Sequence, residues 1–282
     1  LAEMTRPDRY AVFGHPIKHS QSPRIHALFA AQTGQDLVYA AEDVPPERFE
    51  SRVREFFGSG GRGLNCTVPL KELAWRLADS RSDRAERAGA VNTLALRDDG
   101  SVFGDNTDGI GLLRDLRDNL GLDLAGAKVL VLGAGGATRG ILAPLLAERP
   151  ARLVIANRTI ATAETLAAEF GDLGPVEGCG FADLAGHRFD LILNATAASL
   201  SGELPPLPAD ALAPGGSCYD LAYAFEPTPF VRWGREKQAS VSTDGIGMLV
   251  EQAAEAFLLW RGVRPETRPV IETLEAERRT VK

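Results

Sequence analysis

Residues 129–140 hold an apolar run, Val129-Leu-Val-Leu132, that passes without a break into Gly133-Ala134-Gly135-Gly136-Ala137-Thr138-Arg139-Gly140. An apolar strand feeding glycines and then a helix is an arrangement that receives a dinucleotide pyrophosphate. Gly133 permits the tight turn, Gly135 lets backbone amides come close, and the helix presents its positive end. Thr138 stands where a third small residue is usual, so the loop alone also fits an ordinary strand-to-helix turn. The next apolar run, 153–156, narrows the choice. It ends in Asn157-Arg158-Thr159, about 25 residues after Gly133, where an NAD enzyme carries an acid for the ribose hydroxyls. Arg158 in that place could fork onto a 2′-phosphate, with Thr159 adding a hydroxyl, so NADP(H) is expected over NAD(H).

The rest of the chain is organised around that unit. Strand-like runs at 10–13, 37–41, 63–67 and 91–96 alternate with helical patterns at 23–32, 46–57 and 69–78. Each of these helices opens with proline, which suits a first turn where no amide hydrogen is needed. Strands alternating with helices predict an α/β layer on a largely parallel sheet. After a helix at 110–120, strands are expected at 129–132, 153–156, 176–179, 191–194, 218–221 and 240–243, with helical links between. That pattern matches a doubly wound nucleotide-binding sheet. Two more helices, 248–260 and 265–277, close the chain.

With 282 residues, about two domains are expected. A 44% hydrophobic and 24% charged composition excludes disorder, and no run approaches the ~18 apolar residues of a membrane span. The opening LAEMTRPDRY lacks the charged start and apolar core of a signal peptide, and Leu1 to Glu3 are expected to be foreign residues ahead of a start at Met4. A net charge of −7 argues against a nucleic-acid partner. Three scattered cysteines, Cys66, Cys179 and Cys218, suggest neither a disulfide framework nor a metal knuckle, and they fit a reducing cytoplasm. The four histidines, His15, His19, His26 and His187, form no metal pattern, because Pro16 and the turn at 20–23 break any helical i,i+4 pair. They are expected to be structural, and no metal is expected.

A second polar constellation lies in the first third. Ser20-Gln-Ser22-Pro23 precedes a helix, with Ser22 placed to cap it; the two hydroxyls could also share that positive helix end with a carboxylate. In Asn65-Cys-Thr67-Val-Pro-Leu-Lys71 the lysine falls in the first turn of a helix, where the macrodipole disfavours a cation. The chain has only five lysines, so one in this place suggests proton handling, against the plainer reading of a solvent-facing lysine neutralised by Glu72. Asn92 and Asp108 supply polar groups at strand ends. Asp108 could cap the next helix, pair with Lys71, or do both.

Six blocks together resemble the shikimate dehydrogenase family: Gly14-His-Pro-Ile-Lys-His-Ser20-Gln-Ser22-Pro23, Asn65-Cys-Thr67-Val-Pro-Leu-Lys71, Gly89-Ala-Val-Asn92-Thr93, Gly104-Asp-Asn-Thr-Asp108-Gly109, Gly133-Ala-Gly-Gly-Ala and Asp244-Gly245-Ile-Gly-Met-Leu-Val-Glu-Gln252. The resemblance spans nearly the whole chain, in order. It implies NADP-dependent interconversion of 3-dehydroshikimate and shikimate, a step of chorismate and aromatic amino-acid biosynthesis, by a small-molecule enzyme that is a monomer or homodimer. It also implies that Ser20 and Ser22 hold the substrate carboxylate, that Thr67, Asn92 and Gln252 bind ring hydroxyls, and that Asn65 and Tyr223 lie nearby. Lys71 and Asp108 resemble the catalytic pair. Gly133, Ala134, Gly135, Gly136, Ala137, Asn157, Arg158, Thr159 and Gly245 resemble the cofactor site. The implied domains are a substrate-binding α/β domain, 1–108 and 244–282, to which the C-terminal helices return, and a Rossmann-type NADP-binding domain, 109–243, with the substrate in the cleft between them.

The chain departs from the family pattern at three places. Ile160-Ala161-Thr162 stands where some relatives carry a second arginine, which implies a looser preference for NADP. Ser199 in Asn194-Ala-Thr196-Ala-Ala-Ser199 replaces a common glycine, and Cys66 replaces a commoner apolar residue. Two other readings compete: a quinate/shikimate dehydrogenase using NAD, and a non-catalytic NADP(H)-binding sensor of the same fold.

Overall fold

The computed structural model describes residues 6–281, so the stretch around Met4 lies outside the described residues. The chain forms two compact units, one running up to Gly111 and resuming at Leu249, the other Leu112–Met248. The first unit begins β1 (Asp8–Gly14), α1 (Ser22–Thr33), β2 (Leu37–Asp43), α2 (Phe49–Gly58), β3 (Gly61–Cys66) and α3 (Lys71–Leu77). It continues with β4 (Ser80–Arg81), α4 (Asp83–Ala88), β5 (Thr93–Leu96), β6 (Val102–Asp105) and α5 (Asp108–Arg114). Its sheet runs β2-β1-β3-β5-β6-β4.

That sheet is mixed, not largely parallel: β5 is antiparallel to both β3 and β6. The reason is the short connection at 97–101, which allows a hairpin between β5 and β6 but no crossover helix. The predicted strand at 91–96 accordingly starts only at Thr93. Val91 and Asn92 turn their amides to the carbonyls of Lys71 and Asp105 instead. Three helix starts also shift. Pro46 opens a short 3₁₀ turn before α2, and Pro69 precedes α3 rather than opening it. The last helix begins at Arg268. The core of this unit packs Phe13, Phe49, Val53, Phe56, Leu64 and Leu70.

The second unit follows the predicted pattern closely. After α5 the chain makes a π-helical turn, Asp115–Asn119, and enters β7 (Lys128–Leu132), α6 (Gly136–Ala147), β8 (Arg152–Ala156), α7 (Ile160–Phe170) and β9 (Val176–Cys179). Then come β10 (Phe189–Asn194), β11 (Leu212–Asp220), α8 (Pro229–Glu236) and β12 (Ser242–Asp244). The strand order β12-β11-β10-β7-β8-β9 is all parallel. Such a sheet is buried on both faces, which is why β7 is apolar from Val129 to Leu132. Val129 and Val131 enter one core with Ile141 and Leu145; Leu130 and Leu132 enter the other with Ile192 and Phe230. The order reverses between β7 and β10, so the glycine loop leaves the sheet at its topological switch point. The helix α9 (Ile246–Arg261) starts here and ends in the first unit, where α10 (Arg268–Thr280) closes the chain. No helix among the described residues is long and apolar enough to cross a membrane.

Candidate functional site

In the second unit, Gly133 has φ +99°, a backbone conformation that a side chain at this position would strain. It turns the chain out of β7 while the Thr138 hydroxyl donates to its carbonyl at 2.7 Å, so the residue at the usual small position ties the loop to the helix. Nothing lies within 4 Å of where a Cβ would stand on Gly135 or Gly136. The helix α6 then starts with no side-chain cap and no acid in its first turn, which leaves its positive end open to an anion. Arg158 is exposed just past β8, and Asn157 Nδ2 donates to the Thr159 carbonyl at 3.0 Å, shaping the turn that carries it. An open glycine cradle, an uncapped helix start and a guanidinium one strand away fit a dinucleotide with an extra phosphate. These residues could hold such a group.

The first unit gathers Lys71, Asp108, Asn92, Gln252 and Asn65 into one hydrogen-bonded network. Lys71 is the first residue of α3 and Asp108 the first of α5; Lys71 Nζ lies 2.6 Å from Asp108 Oδ2. The lysine side chain is 20% exposed, so the solvent-facing reading is excluded. The other oxygen, Oδ1, accepts from Asn92 Nδ2 at 3.0 Å. That amide also donates to Thr107 Oγ1 at 2.8 Å and approaches Gln252 Oε1 at 3.3 Å. Asn92 Oδ1 meanwhile accepts from the Thr107 amide at 2.8 Å and the Thr93 hydroxyl at 3.0 Å. With donors on one side and acceptors on the other, the amide has one orientation, and it holds Asp108 turned towards the lysine. The carboxylate sits on a helix start, where the macrodipole favours it, and offsets a cation placed where the macrodipole does not.

Two further contacts complete the network. Gly111 lets α5 meet α9: a Cβ there would lie 2.8 Å from the backbone nitrogen of Gln252. This close approach brings Gln252 to Asn92. On the other side, Asn65 Nδ2 donates to the Asn92 carbonyl at 3.2 Å and to Thr93 Oγ1 at 3.1 Å, and its Oδ1 accepts from the Tyr39 hydroxyl at 2.7 Å. Burial pushes the Tyr39 phenol well above its usual range. Thr67, partly exposed, follows Asn65 and Cys66 out of β3.

The expected cap on α1 differs. Gln21, not Ser22, is the N-cap, and no side chain caps the helix, because the backbone at Gln21 is already helical. Ser22 is thus inside the first turn, with Ser20 Oγ accepting its amide at 3.2 Å. Sequence reasoning does not single out Tyr39 or Thr107 as site residues. Tyr39 alternates inward with Leu37 on the edge strand β2, and Thr107 lies inside the quoted Gly104–Gly109 block, so both signals are present. Tyr223 and Gly245 belong to the second unit, in the turns after β11 and β12, where the Gly245 amide donates to the Ala222 carbonyl at 3.1 Å.

Among the histidines, His15 Nδ1 meets Asp43 Oδ1 at 2.5 Å, and His26 is buried in a group of aromatic rings. Buried surroundings push the thiols of Cys66 and Cys218 up to about 12. Among the described residues no group of three or more His, Cys, Asp or Glu is placed to hold a metal.

Three family models match the chain: the shikimate dehydrogenase substrate binding domain over residues 12–94, shikimate / quinate 5-dehydrogenase over 115–201, and the shikimate 5'-dehydrogenase C-terminal domain over 245–275. A shikimate dehydrogenase (NADP(+)) of Methylococcus capsulatus is 87% identical over 279 residues, which is 99% of this chain and 100% of that protein. The crystal structure of an Ael1 enzyme from Pseudomonas putida superimposes with a TM-score of 0.89 at 51% identity, covering 95% of this chain and 98% of that one. The shikimate 5-dehydrogenase of Thermus thermophilus, solved with NADP(H) and shikimate, gives a TM-score of 0.84 at 37% identity, over 96% of this chain and 99% of that one.

Proposed function

Because the chain belongs to the shikimate dehydrogenase family, we propose that it catalyses the NADP-dependent, reversible reduction of 3-dehydroshikimate to shikimate, in the biosynthesis of chorismate and the aromatic amino acids. The observation that carries the residue assignment is the Lys71–Asp108 pair at 2.6 Å, held in one orientation by Asn92. The hydride that makes the reaction a redox step comes from NADPH when it is bound. Everything else falls to the chain. Lys71 faces the oxygen that gains charge as the ketone is reduced; its ammonium stabilises that charge and gives up a proton from Nζ to the oxygen. Asp108 holds the ammonium in place before the transfer, and Nζ afterwards regains its proton from water. In the oxidative direction, Nζ takes the hydroxyl proton.

Ser20 and Ser22, at the start of α1, are assigned to the substrate carboxylate. Thr67, Asn92 and Gln252 are assigned to the ring hydroxyls, and Asn65 and Tyr223 are assigned as further substrate residues. Arg158, Asn157 and Thr159 take the 2′-phosphate, while residues 133–137 and Gly245 take the remainder of the cofactor. The enzyme acts on small molecules in the cytoplasm, as a monomer or homodimer, without a nucleic-acid or membrane partner. Its net charge of −7 and three free cysteines support that setting.

The test is a matrix of steady-state rates with NADP or NAD against shikimate or quinate. The highest kcat/KM is expected for NADP with shikimate. A higher kcat/KM for NAD with quinate would replace this reading with the quinate one, and absence of any shikimate-dependent NADPH formation would replace it with a binding protein.

A further inference from the structure

The carboxylate of Asp220 is fully buried and accepts from four groups, none of them charged. Ser199 Oγ and Thr228 Oγ1 donate to Oδ2 at 2.5 and 2.7 Å, while the Ala222 amide and Asn194 Nδ2 reach Oδ1 at 3.1 and 3.4 Å. A buried carboxylate without a paired cation is costly, and a core position at the end of a strand could be filled more cheaply by an apolar side chain. The donors come from separate stretches of chain: the end of β10 and the loop after it, the turn after β11, and the residue that caps α8. Thr228 makes that cap by accepting from the Val231 amide, so the positive start of α8 faces the carboxylate.

Those stretches border the glycine loop. Asn194 and Asp220 are register partners at the ends of β10 and β11. Asn194 Oδ1 accepts from both the amide and the hydroxyl of Thr196, at 3.1 and 2.7 Å. Thr196 Cγ2 and the Ala195 carbonyl then lie 3.2 and 3.1 Å from where a Cβ on Gly133 would stand. On the other side, the Ala222 carbonyl receives the amide of Gly245. Ser199 adds the hydroxyl that ties the far end of the 195–199 loop to Asp220.

We propose that Asp220 is a positioning residue, whose carboxylate, reached through Ser199, Thr228 and the Ala222 amide, holds the loops after β10 and β11 against Gly133 in the shape that receives the dinucleotide. The proposal rests on the cofactor reading above. It is tested by direct binding of NADPH, followed by protein fluorescence, and by hydrogen exchange of amides 195–200 in the protein without cofactor. Asp220→Ala is expected to weaken NADPH binding about tenfold and to speed exchange in that loop, while the KM for shikimate moves far less. Asp220→Asn keeps Oδ1 as acceptor and can donate to both hydroxyl oxygens, so it is expected to restore binding to within about threefold of the native protein. Ser199→Ala removes a single tie and is expected to fall between them; it carries the test if the alanine at 220 does not fold.

A lower Tm with native NADPH affinity and native loop exchange in Ser199→Ala, or in Asp220→Ala where it folds, would show a purely structural carboxylate and overturn the proposal. A native protein that binds no NADPH would instead overturn the cofactor reading itself.

Discussion

At the scale of single residues, the site depends on one amide as much as on the charged pair. Asn92 contributes no charge and no proton, yet its side chain reaches Asp108, Thr107 and Gln252 together. Lys71 is therefore held by a carboxylate that is itself held, and this preorganisation favours catalysis over simple grip. Lys71→Ala is expected to lower kcat by roughly a hundred- to ten-thousand-fold, the usual worth of general acid–base catalysis, with the KM for shikimate changed only a few-fold. Steady-state kinetics at saturating NADP would read this. A raised KM with native kcat would mean that Lys71 only binds.

At the scale of elements, the packing of α1 against β2 and α9 creates a group with an acid-side cost. His26 on α1 stacks on Tyr39 of β2 at 4.2 Å, lies edge-on to Phe29, and faces Phe257 of α9. Neither ring nitrogen has a hydrogen-bond partner, and burial lowers its pKa from 6.5 to about 3. The unfolded chain takes up a proton near pH 6.5 while the folded chain does not until near pH 3, so this residue lowers stability as pH falls through that window. About 1.6 kcal/mol should be lost between pH 6.5 and pH 5 through His26 alone. His26→Phe keeps the stacked ring and should flatten the urea midpoint over that range; an unchanged slope would show the imidazole to be protonated in the fold.

The same scale separates what can be read in advance from what cannot. Three strands of the second unit, β7, β8 and β10, hold apolar runs buried on both faces and are visible as such. The first unit is harder because β4 is two residues long and β6 contains Gly104 and Asp105 beside two apolar residues. β6 pairs antiparallel with β5 and β4 pairs parallel with β6, and neither carries an apolar run long enough to mark it as a strand. The Lys71–Asp108 pair is legible because each residue stands at an electrostatically telling position on its own helix. The role of Asp220 is not, because its donors are scattered from 194 to 228 and none carries a charge.

At the scale of the whole molecule, the two units each hold one buried thiol, which makes their integrity separately measurable. Cys66 lies in β3 beside Asn65 and Thr67 and is 2% exposed; Cys218 lies in β11 and is 1% exposed. Burial pushes both thiols up to about 12, so neither is both ionised and accessible near neutral pH. Cys179, at the end of β9, is partly exposed, and burial followed by Asp183 and Glu177 raises it more mildly. A thiol reagent at neutral pH is therefore expected to modify Cys179 alone in the native protein, more slowly than a free cysteine, and all three thiols in urea. Mass spectrometry of labelled peptides across a urea series would then follow Cys66 for the first unit and Cys218 for the second, each released only as its own core opens. Labelling of Cys66 at the rate of Cys179 without denaturant would contradict this, and would mean that the strand carrying Asn65 opens in the native state, leaving the hydrogen-bonded network around Asn92 without the fixed backbone on which its geometry depends.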